Sequence, residues 1–248
     1  MFRLLKALPF TLAVAALSII AIGCGSGSSA KVRVVNAIPD ASANLDININ
    51  GTKDFTNVQF DAVYPTQTTP ASYVSVPSGS DTIEAFNTGT TSSPVVAPTT
   101  ASLSGSTQYT VLLGNYLNKS PQAYLMTDNN TVPTTGNVEI RVINGSALAN
   151  AESTGIDVFI YQTGLQPPGT PQISALPLGS ASSYQSLTWE SSYHIDVYIT
   201  NIPAKQLSFD LPQGGSSGTA GQITTLVIVD NPGGASIDPF PLVMVDLN

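Results

Sequence analysis

The sequence is poor in the residues that carry most protein chemistry. Its 248 residues include one cysteine, one histidine and one tryptophan. A single cysteine excludes a disulfide framework and a cysteine-built metal site. A single histidine excludes the multi-histidine sites that hold zinc or iron. Charged residues are only 10% of the chain, with eight Lys/Arg against sixteen Asp/Glu. A formal charge of −8 with no basic patch argues against nucleic acid and anionic lipid surfaces as partners. Sparse charge beside 42% hydrophobic residues also argues against disorder. What is present instead is turn chemistry. Twenty Gly and eighteen Pro, with much Ser and Thr, disfavour a helical bundle and suit short strands.

The N-terminus reads as an export signal. Arg3 and Lys6 precede an uncharged run from Ala7 to Gly23, too short for an ordinary membrane span of ~20 residues. The only cysteine, Cys24, sits where that run stops. Ala21-Ile22-Gly23-Cys24 resembles the bacterial lipobox, with Ala21 where leucine is usual. The resemblance implies cleavage after residue 23 and lipidation of Cys24, and Gly25 to Ser29 reads as a flexible tether. Each buried acyl methylene contributes about 0.8 kcal/mol to membrane attachment. Losing Arg3 and Lys6 leaves six basic against sixteen acidic residues, a formal −10. Gly25 rather than Asp after the cysteine resembles the pattern sorted to an outer membrane, where the organism has one.

The rest of the chain repeats itself. Val32-Arg33-Val34-Val35-Asn36 matches Ile140-Arg141-Val142-Ile143-Asn144, and Leu45-Asp46-Ile47 matches Ile156-Asp157-Val158. Tyr73-Val74-Ser75-Val76 matches Tyr184-Gln185-Ser186-Leu187, and Ile83-Glu84-Ala85-Phe86 matches Ile195-Asp196-Val197-Tyr198. Pro121 to Asn130 matches Pro239 to Asn248 in the same order. This predicts a signal over 1–23, a lipidated tether over 24–30, one unit over 31–130, a linker over 131–136 and a second unit over 137–248. The clearest strands are 31–37, 44–49, 82–86, 109–113 and 122–127 in the first unit. Their counterparts are 137–143, 156–161, 194–200, 223–229 and 242–246. Short strands punctuated by turns such as Asn50-Gly51 predict two tandem immunoglobulin-like β-sandwiches in an all-β chain.

Val34 to Asp40, Leu45 to Gly51, and Val76-Pro77-Ser78-Gly79 before Ile83-Glu84-Ala85 resemble the bacterial domain-of-unknown-function family 4397. Its pattern is a VVNASPDAP start followed by VDVYVNG and VPAGTYTVEV hairpins. The first unit follows this pattern closely. The second has Ser146-Ala147 in place of Pro-Asp and lacks the Pro-Ser-Gly turn. The resemblance implies an envelope β-sandwich, often lipid-anchored, and supplies no catalytic residues.

Several patterns imitate active chemistry. Asp46-Ile47-Asn48-Ile49-Asn50-Gly51 opens like a calcium loop, but its twelfth position is Asn57 rather than glutamate. Alternating apolar residues there read as a half-buried strand, so no metal or cofactor is expected. Gly214 to Gly218 matches G-x-S-x-G, yet a β-rich run follows it and His194 precedes it, contrary to the nucleophile elbow. The carboxylate pairs Asp46/Asp157, Glu84/Asp196 and Asp128/Asp246 recur in both units. They read as solvent-facing or turn-bonding acids, and Asn36/Asn144 as strand-end residues bonding the next loop. Trp189 falls at a turn near Tyr184 and Tyr193, and the three are the candidate ligand contacts, against the alternative that Trp189 folds over the core. The expected function is a non-catalytic binding, adhesion or structural module, held to the membrane by lipid and facing an envelope glycan or protein. The competing expectation is an envelope-polymer hydrolase using paired carboxylates, which requires two convergent acids in a cleft.

Overall fold

The computed structural model describes residues 28–66, 72–152, 155–212, 221–233 and 241–247. The signal segment, Cys24 and the Gly214–Gly218 pattern lie outside them. The first half carries β1 (Ala30–Ala37), β2 (Leu45–Ile49), β3 (Thr52–Val58), β4 (Ala62–Tyr64) and β5 (Val74–Val76). It continues with β6 (Gly79–Asn87), β7 (Val96–Leu103), β8 (Gln108–Gly114) and β9 (Gln122–Asp128). The second half carries β10 (Asn137–Asn144), the short helix α1 (Ala147–Glu152), β11 (Ile156–Gln162) and β12 (Ile173–Leu176). It ends with β13 (Gln185–Thr188), β14 (Ser192–Ile199), β15 (Lys205–Pro212), β16 (Ile223–Ile228) and β17 (Leu242–Leu247).

These strands form four sheets. In the first half an inner sheet, β4-β1-β8-β9 with β5 also on β1, faces an outer sheet, β3-β2-β6-β7. In the second half the inner sheet is β13-β10-β16-β17 and the outer one is β12-β11-β14-β15. Both inner sheets pair their first strand in parallel, β1 with β8 and β10 with β16. The chain is therefore all-β and sandwich-like, as its turn-rich composition predicts. Every strand that the sequence makes clear is present. The others, β3, β4, β5, β7, β12, β13 and β15, all run along sheet edges. Edge strands are half-solvated and carry Lys, Thr, Ser and Pro, so their apolar alternation is broken.

The inner strands are buried on both faces. Val32, Val34, Val111 and Leu113 point into the first sandwich, while Val35, Ala37 and Leu112 point away from it. On the other side Ile140, Val142, Leu226 and Ile228 fill the second sandwich, while Ile143, Val227 and Val229 point outward. The outward sets meet. Together with Val63, Met126 and Met244 they make a third apolar core, a seam that joins the two sandwiches back to back. Double-sided burial explains why β1, β8, β10 and β16 read as nearly continuous apolar runs. Close approach at the seam also selects small residues. A β-carbon on Gly145 would lie 3.1 Å from the Ala37 β-carbon, and one on Gly179 would strike the Tyr124 ring.

Candidate functional site

Three polar clusters stand out, and their surroundings differ. The first lies inside the seam. Arg33 and Arg141 occupy matching places on β1 and β10, each opposite a threonine of the parallel partner strand, Thr110 and Thr225. Both arginines are fully buried. Arg33 Nε donates to Thr110 at 2.8 Å, its Nη1 pairs with Asp246 of the other half, and its Nη2 lies 3.1 Å from Asp128. Arg141 Nη2 donates to Asp128 at 2.7 Å and its Nη1 to the Thr127 carbonyl at 3.0 Å. Thr110 and Thr225 donate to Asp128 and Asp246 in turn. Tyr73 lies over Arg33 and Tyr184 over Arg141, at 5.2 and 4.8 Å from the ring centroids.

Two cations and two anions thus balance in a buried layer. Burial alone would lower the Arg33 pKa, but Asp128 and Asp246 outweigh burial and raise it above its ordinary value. Burial pushes the Tyr73 phenol well above its ordinary value. The expectation of solvent-facing carboxylates is corrected here for Asp128 and Asp246. They are buried because each terminal strand lies in an inner sheet whose outward face is covered by the other half. The sequence signal was available, since Arg33 and Arg141 each stand between apolar residues of β1 and β10.

The second cluster anchors loops of the outer sheets. Asp46 accepts from Lys53 at 2.7 Å, from the Asn57 N–H at 2.9 Å and from Thr88 at 3.2 Å. Burial would raise its pKa, but these bonds win and hold the carboxyl down at about 2. Asp157 accepts from the Ala175 N–H at 2.7 Å and from Thr200 at 3.1 Å. Asn36 and Asn144 accept from the N–H groups of Ile38 and Ser146, tying strand end to loop as the sequence suggests.

The third cluster covers the outward face of the second half. Along β11 and β14, Ile156, Val158, Ile160, Ile195 and Val197 enter the core. Register then places Asp157 opposite Tyr198, Phe159 opposite Asp196 and Tyr161 opposite His194, all pointing outward. Strand β15 extends the rows with Ser208 beside Asp196 and Asp210 beside His194. Phe159 and Tyr198 meet edge to face at 5.4 Å, and Tyr161 and His194 lie 5.1 Å apart. Asp196 is covered by this layer and accepts from Ser208 (2.7 Å), Lys205 (2.8 Å) and Tyr161 (2.9 Å). Desolvation opposes its ionisation, but the three donors lower its pKa. Burial and the Asp196 bond push the Tyr161 hydroxyl up to about 12.

Ser208, His194 and Asp210 lie in contact, with His194 Nδ1 2.6 Å from Asp210 and Nε2 3.0 Å from Ser208. The polarity is wrong for a nucleophile. Ser208 Oγ donates to Asp196 at 2.7 Å, so its proton is not directed at His194.

The residues singled out at the turn are not gathered on one face. Trp189 is half-buried and packs on the core of the second sandwich, with its backbone N–H on the Gly136 carbonyl. Tyr193 is buried, and its hydroxyl donates to the Thr188 carbonyl. Tyr184 lies at the seam against Arg141, its hydroxyl accepting from the Asn129 N–H at 3.1 Å. Phe159, Tyr161 and Tyr198 were legible only as residues of strands. Their joint exposure follows from register.

Residues 30–153 match the family model described as Domain of unknown function (DUF4397). No curated protein matches the chain. Among solved structures it is similar to CBMbc (family CBM26) from Eubacterium rectale Amy13K, in complex with maltoheptaose. That likeness has 12% identity and a TM-score of 0.24, over 86% of this chain and 97% of that one. A leucine-rich repeat protein from Bacteroides thetaiotaomicron is similar at 12% identity and a TM-score of 0.20, over 83% of this chain and 26% of that one. Likenesses this distant carry no argument about function. The family match runs from β1 through α1, across the whole first sandwich and into the second half, and the chain belongs to the DUF4397 family.

Proposed function

We propose that this protein is a lipid-anchored, non-catalytic binding module of the bacterial cell envelope. The observation that carries the reading is the outward face of β11 and β14. There Phe159, Tyr161 and Tyr198 are half-exposed on a sheet backed by a filled core. Aromatic side chains on a rigid support supply contact area at little conformational cost. The shared carboxylates support a non-catalytic role. Asp128 and Asp246 are sealed in the seam, and Asp46, Asp157 and Asp196 each accept hydrogen bonds from the chain itself. The anchor rests on Cys24 at the end of the apolar run.

Two measurements test the reading. Cys24→Ser is expected to move the protein from the membrane fraction to the soluble one, and an unchanged distribution would remove the anchor. The soluble Cys24→Ser chain is then expected to sediment with isolated envelope material. Combining Phe159→Ala, Tyr161→Ala and Tyr198→Ala should abolish that sedimentation without altering the fold by circular dichroism. Equal sedimentation of the triple variant would overturn the assignment of this face.

A further inference from the structure

We infer that the hollow beside the Phe159–Tyr198 pair is a binding site for a neutral pyranose glycan. The inference rests on the binding-module reading and deepens it. The hollow measures about 350 Å³ and is lined by Asp157, Phe159, Tyr198, Asn201, Ile202 and Pro203. That is at the lower end of small-ligand sites, about 300–1,000 Å³. Its floor is apolar. Phe159 and Tyr198 are diagonal neighbours on one face, in edge-to-face contact, and both are half-exposed. Such a surface matches the C–H face of a sugar ring.

The rim supplies the polar half of the match. Asp157 Oδ1 is occupied by the Ala175 N–H and the Thr200 hydroxyl, while Oδ2 takes no bond among the described residues. Asn201 follows β14 in a left-handed turn at φ 65°, exposed, and its side-chain amide makes no bond among the described residues. One open acceptor and one group that both donates and accepts suit hydroxyls, which do the same.

Charge narrows the choice further. The ammonium of Lys205, on the neighbouring strand, is engaged by Asp196 at 2.8 Å. A phosphate, sulfate or carboxylate would therefore meet Asp157 with no free cation nearby among the described residues, on a chain of formal charge −8. An apolar peptide would cover Asp157 Oδ2 without giving it a donor, leaving a desolvated carboxylate oxygen unsatisfied. A basic peptide is the remaining competitor. It differs in responding strongly to salt.

The test titrates the acylated full-length protein in detergent with neutral hexasaccharides of glucose, mannose, galactose and N-acetylglucosamine, by calorimetry. At least one is expected to bind, with affinity unchanged between low and high salt. Tyr198→Ala and Phe159→Ala should each weaken it about tenfold or more. Asn201→Ala should weaken it severalfold, and Asn48→Ala, on the corresponding face of the first half, should leave it intact. Thermal melting of each variant near that of the parent separates lost contact from lost fold. Failure of all four sugars, or equal binding by Tyr198→Ala, would overturn the glycan. If the sugars fail while envelope sedimentation still depends on this face, the glycan inference falls and the binding-module reading stands. A basic peptide that binds here and is released by salt likewise overturns the glycan and leaves the module in place. Failure of both assays removes both.

Discussion

The inner and outer sheets of this molecule differ in how closely the two halves repeat each other. At the seam the two halves present the same chemistry to each other. Arg33 and Arg141, Thr110 and Thr225, Asp128 and Asp246, and Tyr73 and Tyr184 hold matching places. On the outer sheets Asp46 and Asp157, Glu84 and Asp196, and Phe86 and Tyr198 still match in kind, but other places differ. Where β2 presents Asn48, β11 presents Phe159, and where β6 presents Thr82, β14 presents His194. A self-complementary contact ties each residue to the place it meets on the other side, as in a two-fold dimer interface. An outward face has no such partner, so one half can carry rings at places where the other carries polar side chains.

The largest effect should come from the seam. Arg33→Met leaves Asp246 buried without a cation and is expected to cost about 3–5 kcal/mol in denaturant unfolding. Arg141→Met should cost less, about 1–3 kcal/mol, because Asp128 keeps Arg33 nearby. Equal losses would mean that the cluster is symmetric in energy as well as in sequence. Adding Asp246→Leu to Arg33→Met should recover part of the loss, since two removed charges cost less than one orphan.

A smaller effect separates the loop anchors from the seam. The Asp46 carboxyl is held near 2 against an ordinary 3.8, so its folded state binds fewer protons than the unfolded one. Its stability contribution is present above pH 3.8 and is lost as pH falls through about 2. After allowance for solvent near Lys53 it amounts to about 1 kcal/mol. Unfolding free energies of the parent and Asp46→Asn, compared at about pH 5 and about pH 2, should converge at the lower pH. The smallest effect belongs to the outer face. Lys205→Ala, removing a half-exposed partner of Asp196, should cost about 0–1 kcal/mol in the same assay. A loss near that of Arg33→Met would break the distinction between buried and exposed charge.

The ladder strands were readable because burial on one or both faces leaves a strong apolar pattern. Val32 to Val35 and Ile223 to Val229 could not be mistaken for loops. Edge strands such as β7, with Pro98 and Thr99, lack that pattern and emerged only from pairing. The candidate site was less legible. Phe159, Tyr161 and Tyr198 lie in strands recognised at once, but nothing local distinguishes an outward aromatic from a core one. Trp189 drew attention as a rare residue, and it packs on the second sandwich.

Composition alone determined that the chain would be turn-rich, β-built and acidic, and it leaves too few histidines and cysteines for a multi-histidine or cysteine-built metal site. The repeated Val-Arg-Val and Ile-Arg-Val runs determined that each half would place an arginine inside an apolar strand. Only the tertiary structure decided what those arginines meet. A buried guanidinium requires anions, and each half supplies the carboxylate that answers the other across the seam. The scarcity of charge thus acquires a location. Part of the charge is withdrawn into the interior, while the outer sheet of the second half presents rings beside Asp157, His194, Lys205 and Asp210.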